Sequence, residues 1–207
     1  MSRNYVIPAK TDIELTGSTK PTYNSYLSAS YFDGTGKAHY GVDLAAGLYT
    51  AIGDGKVIYA NPTNVGGGIV VEHEWTDTHV LYAIYWHGKP LFKVGDKVTA
   101  NDYVTNSLQP DTKSLGSMGK HTHFELRAVP KDRGFTYNDP LRQFQVIDPF
   151  SILKLRDESV KVGTKLQNYL AYRGLDISPV SVSASPADII SKISGEDIKK
   201  ALVSLIK

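Results

Sequence analysis

Two apolar runs stand almost end to end in the middle of this chain, and their spacing limits how it can fold. GGGIVVEHEW, entered through Gly66-Gly67-Gly68, and HVLYAIYWH are rich in β-branched and aromatic residues, the composition of strands. Only Thr76-Asp77-Thr78 separates them. That is too short for the crossover parallel strands need, so the two pair antiparallel. The flanking text is punctuated in the same way. TAIGDGKVIYA reads as a hairpin over Gly53-Asp54-Gly55, with Lys56 to Ala60 a strand. KVGDKVT turns at Gly95-Asp96, and Asn106 to Lys120 is polar and glycine-containing, which predicts a surface loop. HTHFELRAV then returns as a strand, and QVIDPF is placed to close the sheet. The expectation is a mainly β, antiparallel fold, and 13 Tyr against 6 Phe agree with it.

A chain of 207 residues is enough for one well-buried domain with appendages. Residues 1–36 read as an irregular arm, 37–155 as the β-core, and 156–207 as a helical extension with a linker near 177–186. Within that extension ESVKVGTKLQNYLAYRGL predicts a helix. From Ala187 to Lys207 apolar residues recur at helical spacing, which predicts a second, amphipathic helix. Its apolar face is expected to pack on the main domain or to dock a partner protein.

Composition excludes several functions. A net charge of +2 without a basic stripe gives no footprint for nucleic acid. The absence of cysteine rules out disulfides, thiolate metal sites and a cysteine nucleophile. No apolar stretch is long enough to span a bilayer. MSRNYVIPAKTDIELTGSTKP lacks the apolar core of a signal peptide, so work outside the producing cytoplasm would need another route of export.

The histidines carry the chemistry. In His121-Thr122-His123 alternation puts His121, His123 and Glu125 on one face, with Thr122, Phe124 and Leu126 anchoring the other. The two imidazoles are then about 6–7 Å apart at Cα, so that one can bind a metal while the other reaches a ligand beside it. His39 and Asp43 would be about 13 Å apart in a straight strand, too far for one ion. The chain must bend between them, and Gly41 permits it. With His123 this makes two imidazoles and one carboxylate, a set that suits Zn²⁺ and leaves a fourth position open. The same set describes the facial triad of non-haem iron, but the close His-x-carboxylate spacing of that motif is absent. Tyr85-Trp86-His87 ends an apolar strand, and alternation puts His87 on the face of Leu81, Ala83 and Tyr85. His73 and His79 read as structural or surface residues. Glu125 reads as a salt-bridge partner or as a carboxylate that orients a neighbouring histidine.

AHYGVDLAAG, the TAIGDGKVI segment, GGGIVVEHE, Tyr-x-His, VGDKV and HTHFEL follow one another in this order. Together they resemble the lysostaphin-type (LytM-like) zinc peptidoglycan endopeptidases over about residues 37–130, extending towards IDPF at 147–150. The resemblance implies a compact antiparallel β-sheet or β-roll core with a long active-site groove, beside the C-terminal helical appendage. It implies one zinc ion held by His39, Asp43 and His123, with His87 and His121 as the catalytic pair that does not bind metal. A tyrosine upstream of HxxxD faces the oxyanion in such enzymes, and Tyr31 is the residue it points to here. The substrate implied is a peptide of bacterial peptidoglycan. A non-catalytic wall-binding or virion module of the same fold is the alternative. The stretch VTNSLQPDTKSLGSMGK replaces the usual glycine-rich approach to HxH, so the groove wall is expected to differ. An exported activity without an export signal points to a phage lysin or tail-associated protein, which the C-terminal helix would join to its assembly.

Overall fold

The computed structural model describes residues 5–16, 39–62, 67–108 and 120–179. Tyr31, the amphipathic segment 187–207 and most of the approach to His121 lie outside the described residues. The strands are β1 (Asp12–Ile13), β2 (Val42–Ala45), β3 (Leu48–Thr50), β4 (Gly55–Asn61), β5 (Gly68–Glu74) and β6 (His79–Trp86). They continue with β7 (Lys89–Pro90), β8 (Lys97–Val98), β9 (Tyr103–Asn106), β10 (His121–Pro130), β11 (Val146–Ile147) and β12 (Lys161–Val162). Two α-helices, α1 (Arg142–Gln145) and α2 (Thr164–Arg173), and a 3₁₀ turn at Pro149–Ser151 complete the described elements.

The main sheet runs β11-β10-β6-β5-β4-β8, with β2 also paired to β10, and all its pairings are antiparallel. Its spine is the β5-β6 pair that the short Thr76–Thr78 connection demands. β10 is long enough to use both edges: β6 lies along one, and β2 followed by β11 along the other. His123 therefore stands opposite Asp43 on one side and Trp86 on the other.

The TAIGDGKVIYA segment is not a hairpin. Its first part, β3, pairs with β9 in a three-stranded sheet, β3-β9-β7, while β4 joins the main sheet. Ala51 and Ile52 between them are wholly buried, and their backbone groups find other partners. Ala51 N–H donates to the Asp102 carbonyl (3.1 Å), and the Ile52 carbonyl accepts from Val6 N–H (2.9 Å). The glycines carry the chain from one sheet to the other.

The core fills the space between the sheets. Ile69, Val71, Leu81, Ala83, Tyr85, Phe124 and Leu126 from one face of the main sheet meet Tyr49, Ala51 and Val104. Residues 5–16, within the stretch read as an arm, add Tyr5, Ile7, Ala9, Ile13 and Leu15 to this core, and β1 pairs in parallel with β12. Thr16 N–H donates to the Asp43 carbonyl (2.9 Å) and Ala45 N–H to the Glu14 carbonyl (2.8 Å), so this segment lines the outer edge of β2. α2 adds Leu166, Tyr169 and Leu170, and stops at Gly174, whose φ of 62° is the left-handed cap glycine accepts readily. Parts of the expected arm and extension thus share one core with the β-domain. Among the described residues no helix is long and apolar enough to cross a membrane.

Candidate metal centre

The opposite face of the main sheet carries the chemistry. His123 and Glu125 of β10 share it with Asp43 of β2 and with Trp86, Ile84 and Tyr82 of β6, because residues directly opposite one another in a sheet point the same way. The 39–43 segment bends at its start so that His39 meets the strand that follows it. Gly41 makes the approach possible by its lack of a side chain rather than by an unusual backbone angle. A Cβ there would lie 2.3 Å from the Phe124 carbonyl oxygen and 2.9 Å from His123 Nε2.

His39, Asp43 and His123 come together. His39 Nε2 and His123 Nδ1 each lie 3.1 Å from Asp43 Oδ1, and 2.9 Å from one another. Four ligands at zinc's bond lengths of about 2.0–2.1 Å are about 3.3 Å apart at the corners of a tetrahedron. A triangle of this size, made of two nitrogens and one carboxylate oxygen, fits such an ion with only a slight expansion. The group could hold a metal.

The electrostatics match. Burial alone would raise the Asp43 carboxyl, but the hydrogen bonds and charges of His123 and His39 hold it well below its ordinary range. For His123 burial disfavours the proton, yet the carboxylates of Asp43 and Glu125 outweigh it and raise the ring's pKa. Nearby, His121 Nε2 lies 3.8 Å from Asp43 Oδ1, and the ring of His87 is 4.9 Å from that of His121, centroid to centroid. Burial first, and then the rings of His123 and His121, push the His87 pKa down to about 4.

His87 does not sit where alternation put it. Leu81, Ala83 and Tyr85 point into the core between the sheets, whereas His87 reaches the metal face. Its φ of 69° is the only left-handed angle of a non-glycine residue among the described residues. That turn at the end of β6 breaks the two-residue period and redirects the ring.

Glu125 is wholly buried and lies at the centre of a charged cluster. Its Oε1 accepts from Arg127 Nε and from Arg142 Nε (3.0 Å), its Oε2 accepts from Arg142 Nη2, and Oε2 lies 3.7 Å from His123 Nε2. Burial would raise its pKa, but the His123 ring and the two guanidinium groups bring it down to about 2. Arg127, two residues on along β10, was legible from the same alternation that placed Glu125. Arg142 was not, because it comes from a stretch without periodicity.

Beyond the histidines the face continues as an aromatic floor. Tyr59 packs against Trp86 at 5.6 Å, Tyr82 against Phe135 at 5.4 Å, and Tyr137 stands over Trp86 at 5.1 Å. Tyr137 keeps much of its ring exposed, so this wall can meet a ligand.

The antiparallel β-core thus brings a His-Asp-His group that could hold a metal to the same rim as two further histidines. Residues 37–138 match peptidase family M23. That stretch is an M23 peptidase domain, of the lysostaphin-type, LytM-like peptidoglycan peptidase kind. Its structure is similar to the catalytic domain of lysostaphin from Staphylococcus simulans, with 22% identity, TM-score 0.40, and coverage of 61% of this chain and 86% of that one. It is also similar to a mutant catalytic domain of the prophage-encoded M23 protein EnpA from Enterococcus faecalis, at 23% identity and TM-score 0.46, covering 70% and 95%. A third likeness is to Csd3 of Helicobacter pylori, at 18% identity and TM-score 0.43, covering 83% and 41%. No curated protein matches the sequence.

Proposed function

We propose that this protein is a zinc endopeptidase that hydrolyses peptide cross-links of bacterial peptidoglycan. His39, Asp43 and His123 are its metal ligands, and His87 and His121 its catalytic pair. The proposed setting is the wall outside the producing cytoplasm, as part of a phage lysin or tail. The observation that carries the reading is the convergence of three donor atoms within about 3 Å of one another, with two more imidazoles beside them that are not needed as ligands.

Zinc, when bound, supplies an acidified water and polarises the carbonyl to be cleaved. The protein's own residues supply the proton traffic and the substrate's position. One ring of the His87–His121 pair takes a proton from the attacking water, and a ring of the pair returns one to the leaving amine. Tyr31 is assigned to the oxyanion side. Tyr137, edge-on to the buried Trp86 and itself exposed, offers an aromatic wall against which an extended peptide can lie.

The test is digestion of purified peptidoglycan by the protein before chelation, after chelation and after zinc is restored, with released muropeptides read by mass spectrometry. Cleaved cross-links that vanish with the chelator and return with zinc are expected. Undiminished cleavage by protein shown to be free of metal would overturn the reading. Binding to the wall without release of any fragment would instead establish a wall-binding module.

A further inference from the structure

We propose that Arg142 is a positioning residue for the metal centre, tying its two ligand-bearing segments together through Glu125 on one side and Tyr40 on the other. This rests on the reading that His39, Asp43 and His123 hold zinc. Arg142 lies beyond residues 37–138, so the family match does not include it.

The geometry is specific to an arginine. The fork of Arg142 takes both oxygens of Glu125, Nε to Oε1 and Nη2 to Oε2. Oε2 is also the oxygen that faces Nε2 of His123, whose Nδ1 points at the other two ligand atoms. Arg142 therefore holds the carboxylate oxygen that stands 3.7 Å from the ring's far nitrogen. Arg127 engages Glu125 only through Oε1, so it leaves Oε2 without a second anchor. The same guanidinium lies over the ring of Tyr40, 4.7 Å from its centroid, and Tyr40 sits between His39 and Asp43. One planar cation thus touches the carboxylate behind one ligand and the segment that carries the other two.

Arg142 is itself held in place. Its backbone N–H donates to the Asp139 carbonyl (3.0 Å). The Asp139 carboxylate accepts from Leu141 N–H and from Gln145 Nε2, both at 2.8 Å, and pairs with Arg133. The turn leading into α1 is in this way a bracket for a single side chain. Carboxylates that orient metal histidines act on affinity, and their loss weakens metal binding by about 10–100-fold. A residue that immobilises such a carboxylate acts on the same quantity.

The experiment measures zinc affinity of the full chain by chelator competition, together with the absorption spectrum of the Co²⁺-loaded protein. Arg142→Ala is expected to weaken zinc binding by about 10–100-fold and to alter the Co²⁺ bands. Arg142→Lys is expected to recover little, because an ammonium cannot grip both oxygens and lie flat on a ring. Phe144→Ser, at a position 78% exposed on the same helix, should leave affinity unchanged. Arg142→Ala combined with Glu125→Gln should bind no more weakly than the weaker of the two single variants. Wild-type affinity in Arg142→Ala, or losses that multiply in the double variant, would overturn the proposal. If the alanine variant does not fold, Arg142→Gln keeps the stem and one donor nitrogen at the Nε position but not the fork, and wild-type affinity in that protein overturns it equally. Failure of the unmodified protein to bind zinc would instead overturn the reading beneath it.

Discussion

The rings of His87 and His121 lie 4.9 Å apart although they come from strands whose alternation would put them on opposite faces of the sheet. The left-handed backbone of His87 makes the meeting possible, at an energetic cost of about 1–3 kcal/mol for a non-glycine residue. An asparagine tolerates the same backbone and lacks the imidazole. His87→Asn should therefore fold and melt like the wild type and retain zinc, while peptidoglycan cleavage falls by about 10²–10⁴-fold. His121→Ala should behave alike. Metal content and muropeptide release, measured on the same preparations, check both. Cleavage at the wild-type rate in either would remove the pair from the mechanism.

Variants of the three proposed ligands should fail in another way from that pair. His39→Ala, Asp43→Ala and His123→Ala are expected to lose bound zinc and cleavage together, read by elemental analysis of dialysed protein. A variant that keeps stoichiometric zinc does not involve a ligand.

Gly41→Ala tests how closely the ligand turn sits on β10. The added methyl would lie 2.3 Å from a backbone carbonyl that cannot rotate away. Overpacking of this kind costs about 1–3 kcal/mol or displaces the turn. The variant should melt earlier than the wild type and bind zinc more weakly. Unchanged values of both would show that the turn can stand off from the strand.

His73 predicts an acid-side loss of stability. It is buried, its Nδ1 lies 2.9 Å from the Asp54 carbonyl, and its pKa falls to about 4, chiefly through burial. A histidine that resists protonation only when folded costs nothing above the unfolded value of about 6.5. Below it the unfolded chain takes the proton first, so stability falls between about pH 6.5 and 4, by up to about 3 kcal/mol. Urea unfolding across that range should show this slope, and His73→Asn, which keeps a donor for Asp54, should flatten it.

Glu14 caps a helix distant in sequence. Its carboxylate accepts from Lys165 N–H (3.2 Å) and Leu166 N–H (2.9 Å), in the first turn of α2, where Gly163 offers no side chain of its own. Glu14→Ala should lower stability by about 1 kcal/mol, seen as a lower midpoint in thermal unfolding.

The strands that carry the centre were legible because their alternation is strong and their connection short. That His39, Asp43 and His123 come together was legible from the order of several motifs along the chain, since none of those motifs is specific alone. The hairpin over Gly53–Gly55 was misread because local turn chemistry is the same whether the next strand pairs back or crosses to another sheet. The face of His87 was misread because a single left-handed residue leaves no trace in a hydrophobic pattern. Arg142 was missed since its partner, Glu125, lies 17 residues away and no period links them. The packing of residues 5–16 escaped notice for a related reason. Their apolar residues are interspersed with polar ones and make backbone bonds to scattered partners rather than one regular ladder.

The way that first segment is stitched in has a practical side for anyone building chimaeric peptidases of this family. Swapping modules at the family limits, 37 and 138, would transplant the three candidate ligands yet leave behind residues 14–16, which bond the edge of β2, and the arginine behind Glu125. Such a graft would expose the flank of Asp43's strand to water and to stray pairing partners. The exchangeable cassette in this molecule is therefore longer at both ends than its catalytic signature.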